Sequence, residues 1–159
     1  MQTGILESDL LKQISSLVLE SDLYPEISPL EWISDLYYMH KRKWLYCSLK
    51  GSKLVAVAGA FRIPGWEEKY RSSMPEREEG SLLYLSFVAS TEEIPVALPR
   101  LLKFCLRENP EVEEILYFKK KRGVAEGRPW TLRRRRVEKL SLNSNDSSEV
   151  AAESLVTTP

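Results

Sequence analysis

The stretch "SLLYLSFVAS" at residues 81–90, with "TEEIPVALPRLLKFCLRENP" at 91–110 and "EVEEILYFKKK" at 111–121, decides the fold. The first run is strongly apolar and bounded by turn residues, which predicts a buried strand. Alternation along it puts Tyr84, Ser86 and Val88 on one face and Leu85, Phe87 and Ala89 on the other. The second run predicts a helix whose Leu98, Leu101, Leu102 and Cys105 share one face. Ser90 and Glu93 have capping-box spacing, and Pro99 sets the regular part to begin near Pro95 to Leu98. "EEILYFKKK" then predicts a further strand.

Working outward, residues 5–20 place Ile5, Leu6, Leu10, Ile14, Leu17 and Val18 on one helical stripe. A second amphipathic helix is predicted over about 28–40, with Ser28 as cap, Pro29 in its first position and Glu31 completing a capping box. "KWLYCSLKGSKLVAVAGAFRI" at 43–63 predicts a hairpin around Lys50–Lys53, where Gly51 supplies positive φ. Its second arm is too apolar for a sheet edge. "PGWEEKYRSSMPEREEG" at 64–80 predicts a solvated loop, and "WTLRRRRVEKL" a last strand or extended arm. From 141 to 159 the chain lacks aromatic residues and any core-forming pattern, which predicts a disordered tail after a domain spanning 1–140.

The chain has 159 residues, room for one core, with 43% apolar and 29% charged residues. No apolar run reaches the ~20 residues of a membrane span, and the start has no basic-then-apolar signal pattern. The cytoplasm, that of an infected host if the chain is viral, is the expected compartment. Cys47 and Cys105 lie in apolar surroundings and read as reduced and buried. Together with a single histidine they match no zinc-ligand spacing, so no metal is expected. There is no P-loop, no Ser-His-Asp ordering and no dinucleotide fingerprint.

Two amino-terminal helices, a hairpin, a loop, a central strand, an amphipathic helix and another strand form an order that resembles the GNAT acyltransferase fold. The resemblance implies an α/β domain with a mixed, mostly antiparallel sheet, amino-terminal helices and one helix between the fourth and fifth strands. In that fold the fourth strand splays from the next to admit a pantetheine arm. Through "LYLSFVAS", "ALPRLLKFCLRENP" and "EEILYFKKKR" the chain is most similar to the toxin-activating lysine acyltransferases. The resemblance implies acyl transfer from acyl-CoA or acyl-carrier-protein pantetheine to an amine, the donor held by Phe87, Val88, Ala89, Ser90 and Thr91. Two departures stand against full activity. The loop "ASTEEIP" has no glycine, and Glu92 and Glu93 would repel a pyrophosphate. At the position of the family's aspartate stands Ser86, which has no carboxylate. The sole histidine, His40, is expected at a helix end near the surface and not where the resemblance places the family's histidine; these two are the catalytic candidates. A relative that has lost its chemistry, acting in binding or assembly as a bacteriophage accessory protein would, is the alternative.

Net charge is zero but segregated. Residues 119–139 hold ten basic and two acidic side chains, +8, leaving 13 basic against 21 acidic, −8, elsewhere. Lys119, Lys120, Lys121, Arg122, Arg128, Arg133, Arg134, Arg135 and Arg136, with Trp130, form a candidate contact surface. Basic residues at a sheet edge also discourage aggregation, but ten within 21 residues exceed that need. The expected partner is an acidic protein, either a carrier protein or a second copy, or nucleic acid with Trp130 stacking on bases.

Overall fold

The computed structural model describes residues 7–21, 27–71, 73–118, 120–121, 124–125, 129–140 and 148–151. Helices α1 (Glu7–Glu20) and α2 (Pro29–Arg42) lead into strands β1 (Leu45–Lys50) and β2 (Lys53–Ile63). A 3-10 turn (Glu68–Arg71) precedes β3 (Leu82–Ser90), α3 (Ile94–Glu108) and β4 (Glu114–Tyr117). Short strands β5 (Lys120–Lys121) and β6 (Val124–Ala125) pair with each other. Strand β7 (Trp130–Arg133), helix α4 (Arg134–Glu138) and strand β8 (Ser148–Ala151) follow.

The main sheet runs β7-β4-β3-β2-β1-β8. β3 and β4 are parallel, as a strand–helix–strand crossover requires, and the other pairings in that sheet are antiparallel. This is the mixed, mostly antiparallel α/β arrangement expected from the order of elements, with the crossover helix between the third and fourth strands of the chain rather than the fourth and fifth. α1 and α2 cover one face; α3 and α4 cover the other.

Local chemistry explains the elements. Ser28 Oγ accepts from Glu31 N–H and Glu31 Oε1 from Ser28 N–H, so the capping box starts α2. Lys43, at φ 64°, ends it. Gly51, at φ 61°, turns the β1–β2 hairpin. α3 begins at Ile94, and the expected Ser90–Glu93 box is not made. Instead, Ser90 Oγ accepts from Glu92 N–H and lies 3.2 Å from the Val55 carbonyl, which closes the strand end. Both cysteines are buried and reduced, and burial pushes the Cys105 thiol far above its ordinary value.

Three expectations are corrected. The arm "WTLRRRRVEKL" is strand only to Arg133; from Arg134 it is helical, because Arg134 turns inward. Its Nε donates to the Val112 carbonyl (2.6 Å) and its Nη2 to those of Asn109 (2.8 Å) and Leu106 (3.1 Å), tying off α3. Within 141–159, Ser148–Ala151 are not disordered tail but pair with β1, Val150 opposite Cys47. An open strand edge offers main-chain partners to any extended segment. Lastly, β3 does not alternate throughout. Its register passes from Phe87 opposite Gly59 to Leu85 opposite Ala60, leaving Ser86 as an extra, bulged residue. Tyr84, Phe87 and Ala89 therefore share the α1/α2 face, while Leu83 and Leu85 face α3 with Val88 packed beside them.

Candidate functional site: a ring-walled cavity at the end of a parallel ladder

The bulge sits just past the end of the β3–β4 ladder. The β3–β4 ladder runs from Leu82–Glu114 to Leu85–Tyr117 and ends there. β3 continues to Ser90, still paired with β2 through Ala56–Ser90. Beyond Leu85, one edge of β3 is thus left uncovered by β4. Ser86, the first residue past the ladder on β3, and Phe118, the first past β4, both line a cavity of about 390 Å3. The cavity therefore reaches the end of the β3–β4 ladder on the α2 side of the sheet.

Its walls come from three sources. α2 contributes Glu31, Trp32, Asp35 and Met39; the 64–80 segment contributes Tyr70, Arg71, Ser73 and Met74; the sheet contributes Phe61, Tyr84, Ser86 and Phe87. The 64–80 segment is thus more than the solvated loop expected. Trp66 packs on Tyr84 (centroids 5.0 Å apart) and Phe118 (4.9 Å), and Arg71 holds its guanidinium 4.0 Å over the Phe118 ring. Trp32 meets Phe87 edge to face at 5.4 Å.

The polar groups are few. Ser86 Oγ donates to the Gly59 carbonyl at 3.1 Å, which holds the bulge. Glu31 and Asp35, four residues apart, face the cavity from successive turns of α2. Desolvation first, and the Glu31 charge second, hold the Asp35 carboxyl above its ordinary range. Asp35 was not among the residues singled out by sequence. The available signal was the Glu31–Asp35 spacing beside Trp32, at the border of the apolar stripe.

His40 lies elsewhere. It is 5% exposed, at the end of α2, buried rather than superficial, and it does not line the cavity. The turn Lys43–Trp44 folds back on its end, with Lys43 N–H bonded to the His40 carbonyl and Trp44 N–H to that of Met39, and this removes His40 from the surface. Of the expected donor-holding residues, Phe87 lines the cavity, and Val88 packs on the α3 side of the same strand. Ala89 is buried on the α1/α2 face, and Ser90 and Thr91 turn to the Val55 carbonyl, Thr91 N–H at 2.8 Å.

A CoA pyrophosphate does not fit the start of α3. Pro95 carries no N–H, and the N–H groups of Val96 and Ala97 both bond to the Glu93 carbonyl. Glu92 is nevertheless not the free charge expected. It pairs with Arg100, which is 4% exposed and also donates to Ser48 Oγ at 3.2 Å. Glu93 stays exposed.

The basic segment divides. Lys119, Arg122 and Arg128 lie outside the described residues, and of Lys120 and Lys121 only the backbone is described, in β5. Trp130 is 47% exposed, and Arg133, Arg135 and Arg136 are exposed. Arg134 is engaged internally.

No family model matches the chain, and no curated protein matches it. Among solved structures, a GNAT-like decarboxylase, GphF, in complex with isobutyryl-CoA, is similar at 21% identity and a TM-score of 0.46. The likeness covers 70% of this chain and 62% of that one, so this chain spans less than two thirds of that protein's length. No helix among the described residues is long and apolar enough to cross a membrane.

Proposed function

We propose that this GNAT-like chain transfers an acyl group from a pantetheine-linked thioester to an amine. The donor arm enters between β3 and β4, and the amine occupies the cavity beneath. One observation carries the reading: the parallel ladder ends at Leu85–Tyr117, and the next residue on each strand lines the cavity. A thioester laid along the uncovered edge of β3 would meet an acceptor there.

Asp35 is the group assigned to move the proton. Its carboxylate accepts one from the ammonium, and the freed nitrogen lone pair attacks the thioester carbonyl carbon. The C–S bond breaks, the thiolate takes the second nitrogen proton, and Asp35 returns its proton to solvent. Neither His40 nor the Ser86 hydroxyl is required.

The poor fit of a pyrophosphate at α3 favours acyl carrier protein over free CoA, the donor implied by the resemblance to toxin-activating lysine acyltransferases. An acidic carrier would meet the exposed Arg133, Arg135 and Arg136. Those same arginines favour a second reading, a binding or assembly protein that holds nucleic acid or an acidic protein without turnover. Incubation with acyl-carrier protein or acyl-CoA and a panel of amines, followed by intact-mass measurement, tests both. An acylated amine and free thiol are expected. No transfer from either donor to any amine overturns the acyl-transfer reading.

A further inference from the structure

The cavity on the α2 face has a charge pattern that the acyl-transfer reading does not itself specify. Glu31 and Asp35 point into it, and among the described residues neither makes an ion pair. The cation that lines the same space, Arg71, is already compensated. Its Nε lies 2.9 Å from the Glu68 carboxylate, and its guanidinium covers Phe118. Two carboxylates against one neutralised arginine leave a negative field in a partly desolvated space.

The walls reinforce that preference. Trp32, Phe61, Tyr70, Tyr84, Phe87 and Phe118 supply ring surfaces, whose faces attract cations and whose bodies accept apolar stems. At about 390 Å3 the cavity falls in the range that small ligands fill, ~300–1,000 Å3.

We infer that the cavity selects a primary ammonium on a short apolar stem, with Asp35 as its ionic partner and the rings as its wall. A free arylalkylamine and a lysine side chain offered by another protein share this chemistry. The raised Asp35 pKa agrees with it, since a carboxylate facing another without a counter-ion is what an ammonium would relieve. Glu31 is the lesser partner because its Oε1 is held by the Ser28 main chain. That the bound amine is an acyl acceptor rests on the function proposed above; that an ammonium binds does not.

The test uses the full chain and binding alone. Phenethylamine, 2-phenylethanol and 3-phenylpropionate have similar bodies and carry positive, neutral and negative heads. Each is titrated while tryptophan fluorescence is followed, Trp32 lining the cavity and Trp66 packing on its Tyr84 and Phe118 walls. Phenethylamine is expected to bind at least about tenfold tighter than the other two, as a charge-assisted contact gives. Asp35→Asn is expected to erase that preference and Asp35→Glu to restore part of it, with unfolding midpoints showing that both variants are folded. Nα-acetyl-lysine methylamide binding as tightly as phenethylamine assigns the lysine source, and weaker binding the free amine; both support an ammonium site. Equal binding of the three phenyl ligands, no binding of phenethylamine, or undiminished amine binding by Asp35→Asn overturns the inference. Acyl transfer is scored separately. Ammonium binding without transfer overturns the acyl-transfer reading alone, whereas transfer to amines without cation preference overturns this inference alone.

Discussion

The two faces of the sheet are built for different ends. Against α3 lie the small β2 side chains Ala56, Ala58 and Ala60, which with Ala97 on the helix itself let the two approach closely, while Leu83 and Ile115 of the sheet and Leu101 and Leu102 of α3 fill the layer. Polar groups there are locked inward: Asn109 Nδ2 donates to the Tyr46 hydroxyl at 2.8 Å, and Arg134 ties three main-chain carbonyls. Against α2 the same strands present large rings that do not close the space, and two carboxylates are left facing a cavity. A face packed with alanine and satisfied polar groups holds the fold. The other face, of rings and of carboxylates that form no ion pair among the described residues, leaves a cavity open.

Arg134→Ala is expected to have the largest effect, confined to the α3 face. Removing the guanidinium strands carbonyls at the end of α3, at an expected loss of about 2–4 kcal/mol, or about 5–12 °C in Tm. Thermal unfolding by circular dichroism measures it. Below the new midpoint, phenethylamine affinity is expected to stay at the wild-type value, because Arg134 touches only the α3 side. A coupled loss of affinity would show that the faces are not independent.

Gly59→Ala should act on the other face. A Cβ at Gly59 would lie 2.6 Å from Met39 Cε and clash with the Phe87 ring, both of which line the cavity. Overpacking of this kind costs about 1–3 kcal/mol. Here the amine affinity is expected to fall with the melting temperature, since relief of the clash moves cavity-lining side chains. Melting and fluorescence titration of the same sample separate this result from that of Arg134→Ala.

Much of the frame was legible in the sequence because it follows from local rules. The Ser28–Glu31 box, the Gly51 turn and the apolar stripe of α3 each declare themselves within a few residues. The site was less legible because it depends on one extra residue. The Ser86 bulge reverses the faces of Phe87 and Val88, and no period-2 reading detects an insertion. Gly59, alone in an apolar strand opposite the bulge, was the available sign, since a strand glycine often marks a bulge or a close approach. Arg134 could not be told from its neighbours by composition. What distinguishes it is the end of α3, some 25 residues earlier in sequence.

Asp35→Asn acts on the cavity face and is expected to change stability in the opposite sense. The folded-state pKa of Asp35 lies above the unfolded value, so the folded chain holds its proton more tightly than the unfolded one. The stability this group contributes is full below the unfolded pKa and is lost as pH rises through the folded one. At neutral pH, the neutral amide is therefore expected to raise Tm. Asp35 remains in contact with solvent, so the gain is small, no more than about 2 °C, and it vanishes at a pH below the unfolded pKa. Lower stability of Asp35→Asn at neutral pH would instead make the carboxylate a structural group.

The smallest expected effect on stability comes from Arg133, Arg135 and Arg136, and it tests whether chemically identical neighbours really divide. All three are exposed, in contrast to Arg134 between them. Changing the three to serine while keeping Arg134 should leave stability within about 0.5 kcal/mol of wild type. Their charge, if it meets a polyanion, should appear in the salt dependence of binding. Each phosphate contact adds nearly one to the slope of log K against log salt, so the triple variant should lose about 2–3 from that slope. Fluorescence anisotropy with a labelled single-stranded oligonucleotide, from low to moderate salt, reads this directly. An unchanged slope would remove nucleic acid as the partner of this arm. Retained binding of an acidic carrier protein by the same variant would then leave these arginines as solvated charge.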